Sequence, residues 1–369
     1  MEKRVHNFYA GPAALPTEVM KEAQAELLNF MGTGMSVMEI SHRSKEFEKV
    51  IFEAEADMLK ILGLSAEQYT VLWLGGGATH QFIMLPMNTM EKTDTADYIV
   101  TGQWAERAHE EGAYWGNAHI VATSKGEAKP YCRLPEIKKE NMSDNAKYLH
   151  FTTNNTIYGT QFWKFPEAKP GIPLISDMSS DFLSRTFDAS KFDMIYAGAQ
   201  KNIGPAGVTA VVIKKSFAEK YCKKKLPKTL DYNVQIKKQS LFNTPPCFNI
   251  YMVGKVMKWI LGKGGLKAME DMNRKKAELI YGAIDAHPEF YKGYVTVKEH
   301  RSWMNVNFNL PTPELDEKFV KEAKAEEMVG LKGYRDLGGI RASLYNATTV
   351  ESVEKLVAFM DKFYKANNK

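Results

Sequence analysis

The chain has 369 residues, 44% of them hydrophobic and 25% charged, which excludes a disordered protein or a small stapled scaffold and exceeds the size at which one core usually suffices. Its 49 basic and 44 acidic side chains give a net charge of +5, and their interleaving argues against a nucleic-acid partner. Cys132, Cys222 and Cys247 have no C-x-x-C spacing, which disfavours a disulfide framework or structural zinc and fits a reducing compartment with no metal site.

Met1 to Gly11 lacks the apolar core of a signal peptide, and no run reaches the roughly 18 to 20 apolar residues of a membrane span; a soluble, cytoplasmic protein with no membrane partner is expected. Apolar spacing predicts a helix over Glu18 to Leu28 with Thr17 as N-cap, and a second over Lys45 to Leu62. Tyr69 to Leu74 reads as a buried strand running into Gly75-Gly76-Gly77, followed by a helix from Ala78 to Met90. Short apolar runs follow at Asp97 to Val100, His119 to Ala122, Tyr148 to Thr152, Leu174 to Ser176, Met194 to Tyr196 and Thr209 to Ile213. Their alternation with helical or irregular stretches predicts an α/β fold with a mostly parallel sheet, whose ligands sit beyond the carboxyl ends of the strands.

The basic stretch from Lys214 to Lys228 reads as a solvated helix and loop, a phosphate-binding patch being the other use of such a cluster. A helix over Cys247 to Leu261 stops at Gly262-Lys263-Gly264-Gly265, and another starts at Leu266. This break predicts a large domain over 16–264 and a smaller α/β domain over 265–369. Within the latter, strands are expected at Trp303 to Leu310 and Ile340 to Tyr345, and helices at Glu314 to Glu326 and Val350 to Tyr364.

The triple glycine, between strand and helix, lets backbone N–H groups approach a phosphate; it matches neither the dinucleotide nor the P-loop pattern, and a tight structural turn is the plainer use. Asp177 and Lys201 both fall at strand ends. Adjacent strands would join a lysine able to form an imine to a carboxylate able to keep a pyridine nitrogen protonated, the two groups a pyridoxal cofactor needs. Singly, each has a plainer use, as helix cap or surface lysine. Trp104, after the strand at Tyr98 to Val100, could cover a planar heterocycle or simply pack.

The segment Tyr196-Ala197-Gly198-Ala199-Gln200-Lys201-Asn202-Ile203-Gly204-Pro205-Ala206-Gly207 resembles the cofactor-lysine segment of the phosphoserine aminotransferases, in class V of the pyridoxal-phosphate enzymes. The resemblance continues through Asn7-Phe8-Tyr9-Ala10-Gly11-Pro12-Ala13, Ser41-His42-Arg43-Ser44-Lys45-Glu46-Phe47, Phe242-Asn243-Thr244-Pro245-Pro246 and Gly339-Ile340-Arg341-Ala342-Ser343-Leu344-Tyr345-Asn346-Ala347, nearly the whole chain. It implies a fold-type-I transferase in which the N-terminal segment 1–15 accompanies the small domain. It also implies pyridoxal 5'-phosphate held by Lys201, with Ala78 and Thr79 at the phosphate, Trp104 on the ring, Thr156 by the ring hydroxyl, Asp177 at the ring nitrogen and Gln200 completing this subunit's share. Asn243 and Thr244 would reach the phosphate in a neighbouring subunit, which implies a homodimer with shared sites.

Arginine's planar fork suits both carboxylate and phosphate. By resemblance Arg341 takes the α-carboxylate, while Arg335, with His42 and Arg43 from the neighbouring subunit, addresses the distal phosphate or the distal carboxylate of glutamate. The implied reaction is transamination between O-phospho-L-serine and 2-oxoglutarate in serine biosynthesis, with 4-phosphohydroxy-L-threonine of vitamin B6 synthesis as a further substrate. The rivals are another class V enzyme, such as a cysteine desulfurase, and a non-catalytic binder of phosphorylated ligands; residues 248–369 contain no cysteine to serve the former. Where some relatives carry an arginine after the glycines, this chain has Ala78-Thr79-His80-Gln81. His80 either reaches the substrate phosphate or packs beneath the helix.

Overall fold

The computed structural model describes residues 4–368. Its first half contains β1 (His6–Asn7), α1 (Thr17–Glu26), α2 (Lys45–Leu62), β2 (Tyr69–Leu74), α3 (Gly77–Thr89), β3 (Thr95–Val100), α4 (Gln103–Ala113), β4 (Asn117–Thr123), β5 (Leu149–Thr152) and β6 (Leu174–Asp177). There follow β7 (Met194–Gly198), β8 (Thr209–Lys214), α5 (Lys215–Tyr221), α6 (Tyr232–Lys237), α7 (Cys247–Gly262) and α8 (Gly265–Ala286). The chain closes with β9 (Lys292–Gly293), β10 (Asn305–Asn309), α9 (Pro313–Ala325), β11 (Met328–Val329), β12 (Ile340–Ser343) and α10 (Val350–Asn367).

Seven strands form one sheet in the order β2-β8-β7-β6-β5-β3-β4, in which only β8 runs against its neighbours. Side chains alternate across it: Val71 and Trp73 of β2 join one core while Leu72 and Leu74 join the other, and β7 divides Ile195 and Ala197 from Met194 and Tyr196 in the same way. Both faces are covered, so the strands read as continuous apolar runs. A second, antiparallel sheet, β12-β10-β9, has its own core with α8, α9 and α10, built on Val306, Phe308, Ile340, Leu356 and Met360. The N-terminal β1 pairs with β11, so the chain's start lies beside its last quarter.

α2 matches its expected bounds because Ser44 caps one end, accepting from the Phe47 N–H, and left-handed Gly63 closes the other. Thr17, by contrast, is the first helical residue and not the cap; its hydroxyl accepts from Arg4 at 2.7 Å. The strand expected from Trp303 begins at Asn305, since Ser302 Oγ accepts from the Met304 and Asn305 N–H groups in a local turn. The strand expected through Tyr345 stops at Ser343. There the Nζ of wholly buried Lys276 binds the carbonyls of Leu344, Tyr345 and Thr348 at 2.8, 2.7 and 2.9 Å, turning the backbone out of the sheet.

Burial pushes the Lys276 pKa well down, and its three carbonyl partners offset the cost of that burial. Lys276→Met should therefore lower unfolding stability by on the order of 3 kcal/mol, since three buried carbonyls lose their donor. Urea denaturation measures this, and a wild-type midpoint would show that the carbonyls find other partners.

Candidate active site

The parallel strands β5, β6 and β7 end together, and the segments leaving them supply Thr152 to Thr156, Asp177 to Asp181 and Gly198 to Lys201. Their register sets Thr152 opposite Asp177 and Asp177 opposite Tyr196, so the carboxylate sits on the strand neighbouring the lysine segment. Between them and the start of α3 lies a cavity of about 270 Å³. Ala78, Thr79, Trp104, Thr156, Asp177, Gln200 and Lys201 all line it, together with Gly76 and Gly77.

Lys201 Nζ donates to Thr156 Oγ1 at 2.6 Å. Burial lowers its pKa to about 8, opposed by Asp177 and Asp181 and aided by Arg341. Near neutrality an appreciable fraction is therefore free amine, the form that attacks an aldehyde. Burial also raises the pKa of Asp177, against the pull of the Ser179 N–H, which it accepts at 2.8 Å, and of the Lys201 charge. From above, the N-terminal segment closes on the lysine: a side chain at Gly11, whose φ is +130°, would lie 3.4 Å from Lys201 Cγ, and the Ala13 N–H binds the Gln200 carbonyl at 2.9 Å.

At the cavity's other end Gly76 adopts a left-handed φ of 87° and α3 begins with no side-chain cap. The first N–H groups of a thirteen-residue helix are thus left for an anion. Thr152 Oγ1 and Trp104 Nε1 are buried without partners. A pyridine ring carrying a phosphate fits this set: uncapped helix end for the phosphate, indole for the ring, buried carboxylate for a ring nitrogen, and amine for an aldehyde.

The remaining residues named from the sequence lie outside this cavity. Arg341 stands nearby on β12, with its Nε buried and unpartnered and its guanidinium 5.8 Å from the Tyr334 ring. Burial lowers its pKa, with Tyr345 and Tyr334 opposing, and no carboxylate pairs with it among the described residues. Arg335 and Arg43 are exposed, without ion-pair partners among the described residues. His42 is buried with an unpartnered Nε2, and burial followed by the Arg43 charge lowers its pKa. Asn243 and Thr244 are exposed, the former lining a separate hollow with His80. The His80 ring is exposed and folds over Gly76, where a Cβ would come within 2.1 Å of its Nδ1, so it neither lines the lysine cavity nor packs beneath α3.

The sequence reading missed Thr152, Asn154, Ser179 and Ser180, which line the cavity. It also missed buried Asp181, which accepts from Gln161 Nε2 at 3.1 Å and from the Thr153 hydroxyl. The signal was present in the polar run Asp177-Met178-Ser179-Ser180-Asp181 directly beyond β6. No cysteine lines the cavity: Cys132 and Cys222 are buried, and burial pushes the Cys222 thiol up to about 12.

The family model for class-V aminotransferases matches residues 5–356. A phosphoserine aminotransferase of Herpetosiphon aurantiacus is 51% identical over 359 residues, covering 97% of this chain and 98% of that protein. The solved phosphoserine aminotransferase of Bacillus circulans subsp. alkalophilus superposes with a TM-score of 0.94 at 48% identity, covering 98% of this chain and 99% of the other. A pyridoxal-phosphate-bound phosphoserine aminotransferase from Trichomonas vaginalis superposes with a TM-score of 0.89 at 37% identity, over 97% and 100% of the two chains. Lysine, carboxylate, uncapped helix and these likenesses converge, and the chain belongs to the class-V aminotransferase family of pyridoxal-phosphate-dependent enzymes.

Proposed function

We propose that the enzyme exchanges the amino group of O-phospho-L-serine with the oxo group of 2-oxoglutarate, giving 3-phosphohydroxypyruvate and L-glutamate, a step of serine biosynthesis. The observation that carries this reading is the Lys201 amine, depressed to about 8 inside a cavity that also holds Asp177. The likeness to phosphoserine aminotransferases over nearly the whole chain supports the choice of substrate.

When bound, pyridoxal phosphate supplies an aldehyde for amines and a ring that stores an electron pair. Lys201 would hold the cofactor through its amine, and its Nζ, when free, would accept the proton from the substrate α-carbon. Asp177 holds the proton on the ring nitrogen. Trp104 covers the ring, while Thr156 and Gln200 orient groups at its edge. The N–H groups of Ala78 and Thr79 bind the phosphate, joined by Asn243 and Thr244 of a second copy. Arg341, a desolvated cation with no counterion among the described residues, takes the α-carboxylate; Arg335, with His42 and Arg43 of the second copy, addresses the distal group.

Adding pyridoxal phosphate to the purified chain should give a visible absorbance that borohydride fixes onto the Lys201 peptide, and phosphoserine should then convert 2-oxoglutarate to glutamate. Absence of the fixed adduct would overturn the catalytic reading; an adduct without glutamate formation would overturn the substrate. 4-Phosphohydroxy-L-threonine presents the same amine, carboxylate and phosphate, and its turnover measures the vitamin B6 role.

Arg341→Ala should raise the KM of phosphoserine and of glutamate alike, by roughly ten- to a hundredfold for a lost charge-assisted bidentate contact. Arg43→Ala should separate the two substrates by their distal groups. Equal effects of both variants on both substrates would refute this division.

A homodimer is supported by exposed Leu28, Met31, Met35 and Met38, which precede His42 and Arg43 and offer an apolar face to a second copy. Mixing Lys201→Ala with Arg43→Ala protein should restore part of the activity, because one site of a mixed dimer receives both intact residues. Subunit exchange without recovery would place each site within one chain.

A further inference from the structure

β6 and β7 border a second cavity at their opposite ends. Leu174, the first residue of β6, and Asp193, just before β7, line a hollow of about 630 Å³ that shares no lining residue with the Lys201 cavity. That volume lies within the roughly 300 to 1,000 Å³ of small-molecule sites. Its apolar wall is aromatic, made of Trp163, Phe165 and Phe187. Phe165 and Phe187 meet edge to face at 5.9 Å. Trp163 is fixed by its Nε1, which donates to the Arg301 carbonyl at 3.2 Å, and by Trp303, whose ring lies 4.3 Å away.

Arg185 lines the same cavity and is only 8% exposed. Its guanidinium lies over the Trp163 and Phe165 rings, 5.1 and 4.9 Å from their centres. Its Nη2 donates to the Phe162 carbonyl at 2.6 Å, while Nε and Nη1 have no acceptor among the described residues. Burial lowers the Arg185 pKa, and the two carboxylates that oppose this are committed elsewhere. Asp181 accepts from Gln161 and Thr153, and Glu270 accepts from the Thr186 N–H at 3.0 Å. A desolvated cation with most of its fork open is costly unless an anion meets it.

The other charges of the lining differ in how far they are engaged. Glu167 pairs with Lys139 at 3.4 Å, Asp188 accepts from the Ser190 N–H at 3.0 Å, and Asp193 accepts from the Leu174 N–H at 3.0 Å. Lys164 and Lys191 are exposed and form no ion pair among the described residues. The free charges are thus the basic ones. Three acidic side chains in the lining nevertheless balance the three basic ones, which disfavours a polyanion and suits a ligand with a single negative charge.

We propose that this cavity is a binding site for a small aromatic monocarboxylate, its ring against the aromatic wall and its carboxylate on the open edge of the Arg185 guanidinium. Nε and Nη1 lie on one edge of the planar fork, the geometry that receives both oxygens of a carboxylate. The site stands apart from the proposed transamination and does not depend on it.

The test titrates 3-phenylpropionate into the full, cofactor-loaded chain by calorimetry. It should bind with a submillimolar Kd, and 3-phenylpropanamide, which lacks the charge, and acetate, which lacks the ring, should each bind at least about tenfold more weakly. Arg185→Met should weaken binding by roughly ten- to a hundredfold, the worth of a hydrogen bond to a charged group. Arg341→Ala, beside the Lys201 cavity, should leave it in place. Binding that survives Arg185→Met, or that is lost with Arg341→Ala, would overturn the proposal; so would equal affinity for the amide, or no binding of 3-phenylpropionate at millimolar concentration. Should Arg185→Met fail to fold, Ala168→Trp decides, because a tryptophan at this lining position would fill the cavity from its wall. 3-Phenylpropionate should then no longer bind, and an unchanged Kd would equally overturn the proposal.

Discussion

Lys201→Ala is expected to abolish the cofactor-linked visible absorbance and to lower transamination by on the order of 10^4 or more, because in the proposed mechanism one side chain serves as both attachment point and α-proton acceptor. Among the described residues no other lysine lines the cavity. The loss should fall on kcat, and excess pyridoxal phosphate should not restore it. Added methylamine, entering the space left by the amine, should recover a small part. Turnover near the wild-type level would transfer the role to another residue and dissolve the mechanism.

Asp177→Asn should reduce kcat by on the order of a thousandfold, the cost of removing one preorganised electrostatic group from a dry site. The fold should not suffer. A carboxyl whose pKa is raised by burial costs stability above its unfolded pKa, so the neutral amide should leave the melting temperature unchanged or raise it at pH 7. That opposition separates a functional carboxylate from a structural one: a cap or core partner would lose stability on substitution and leave kcat in place. Kinetics and melting temperature measured together decide the matter.

The central sheet was legible because its strands are short apolar runs bounded by turn residues, and β2 lies where its pattern predicted it. Lys201 and Asp177 were legible as polar residues at the ends of such runs, and position beyond a parallel strand already limits where chemistry can occur. The end of α1 was less so. Apolar spacing extends to Leu28, yet α1 ends at Glu26 and Leu28 is 83% exposed, since periodicity counts apolar side chains without knowing what faces them. Asp181 and Tyr345 escaped for another reason: their partners Gln161 and Ala10 are distant in sequence, and hydrogen bonds across such distances leave no local pattern. His42, Arg43, Asn243 and Thr244 rest on resemblance, and nothing in their own spacing distinguished them from caps and surface charges.

The closure of the N-terminal segment on Lys201, with the Ala10 carbonyl held by the Tyr345 hydroxyl, has a consequence for how the enzyme is made. Gly11 packs on Lys201, and the residues that hold the N-terminal segment in place come from β11 and from the turn after β12. A ribosome releases the first of these elements long before the last, and contacts so far apart in sequence form late. The seven-stranded sheet, complete by Lys214, can assemble on the emerging chain, but the finished lysine environment cannot. Tight cofactor capture would thereby wait until Tyr345 has emerged, and a chain truncated before Tyr345 would keep Lys201 and Asp177 on their strands while lacking the enclosure that buries the amine.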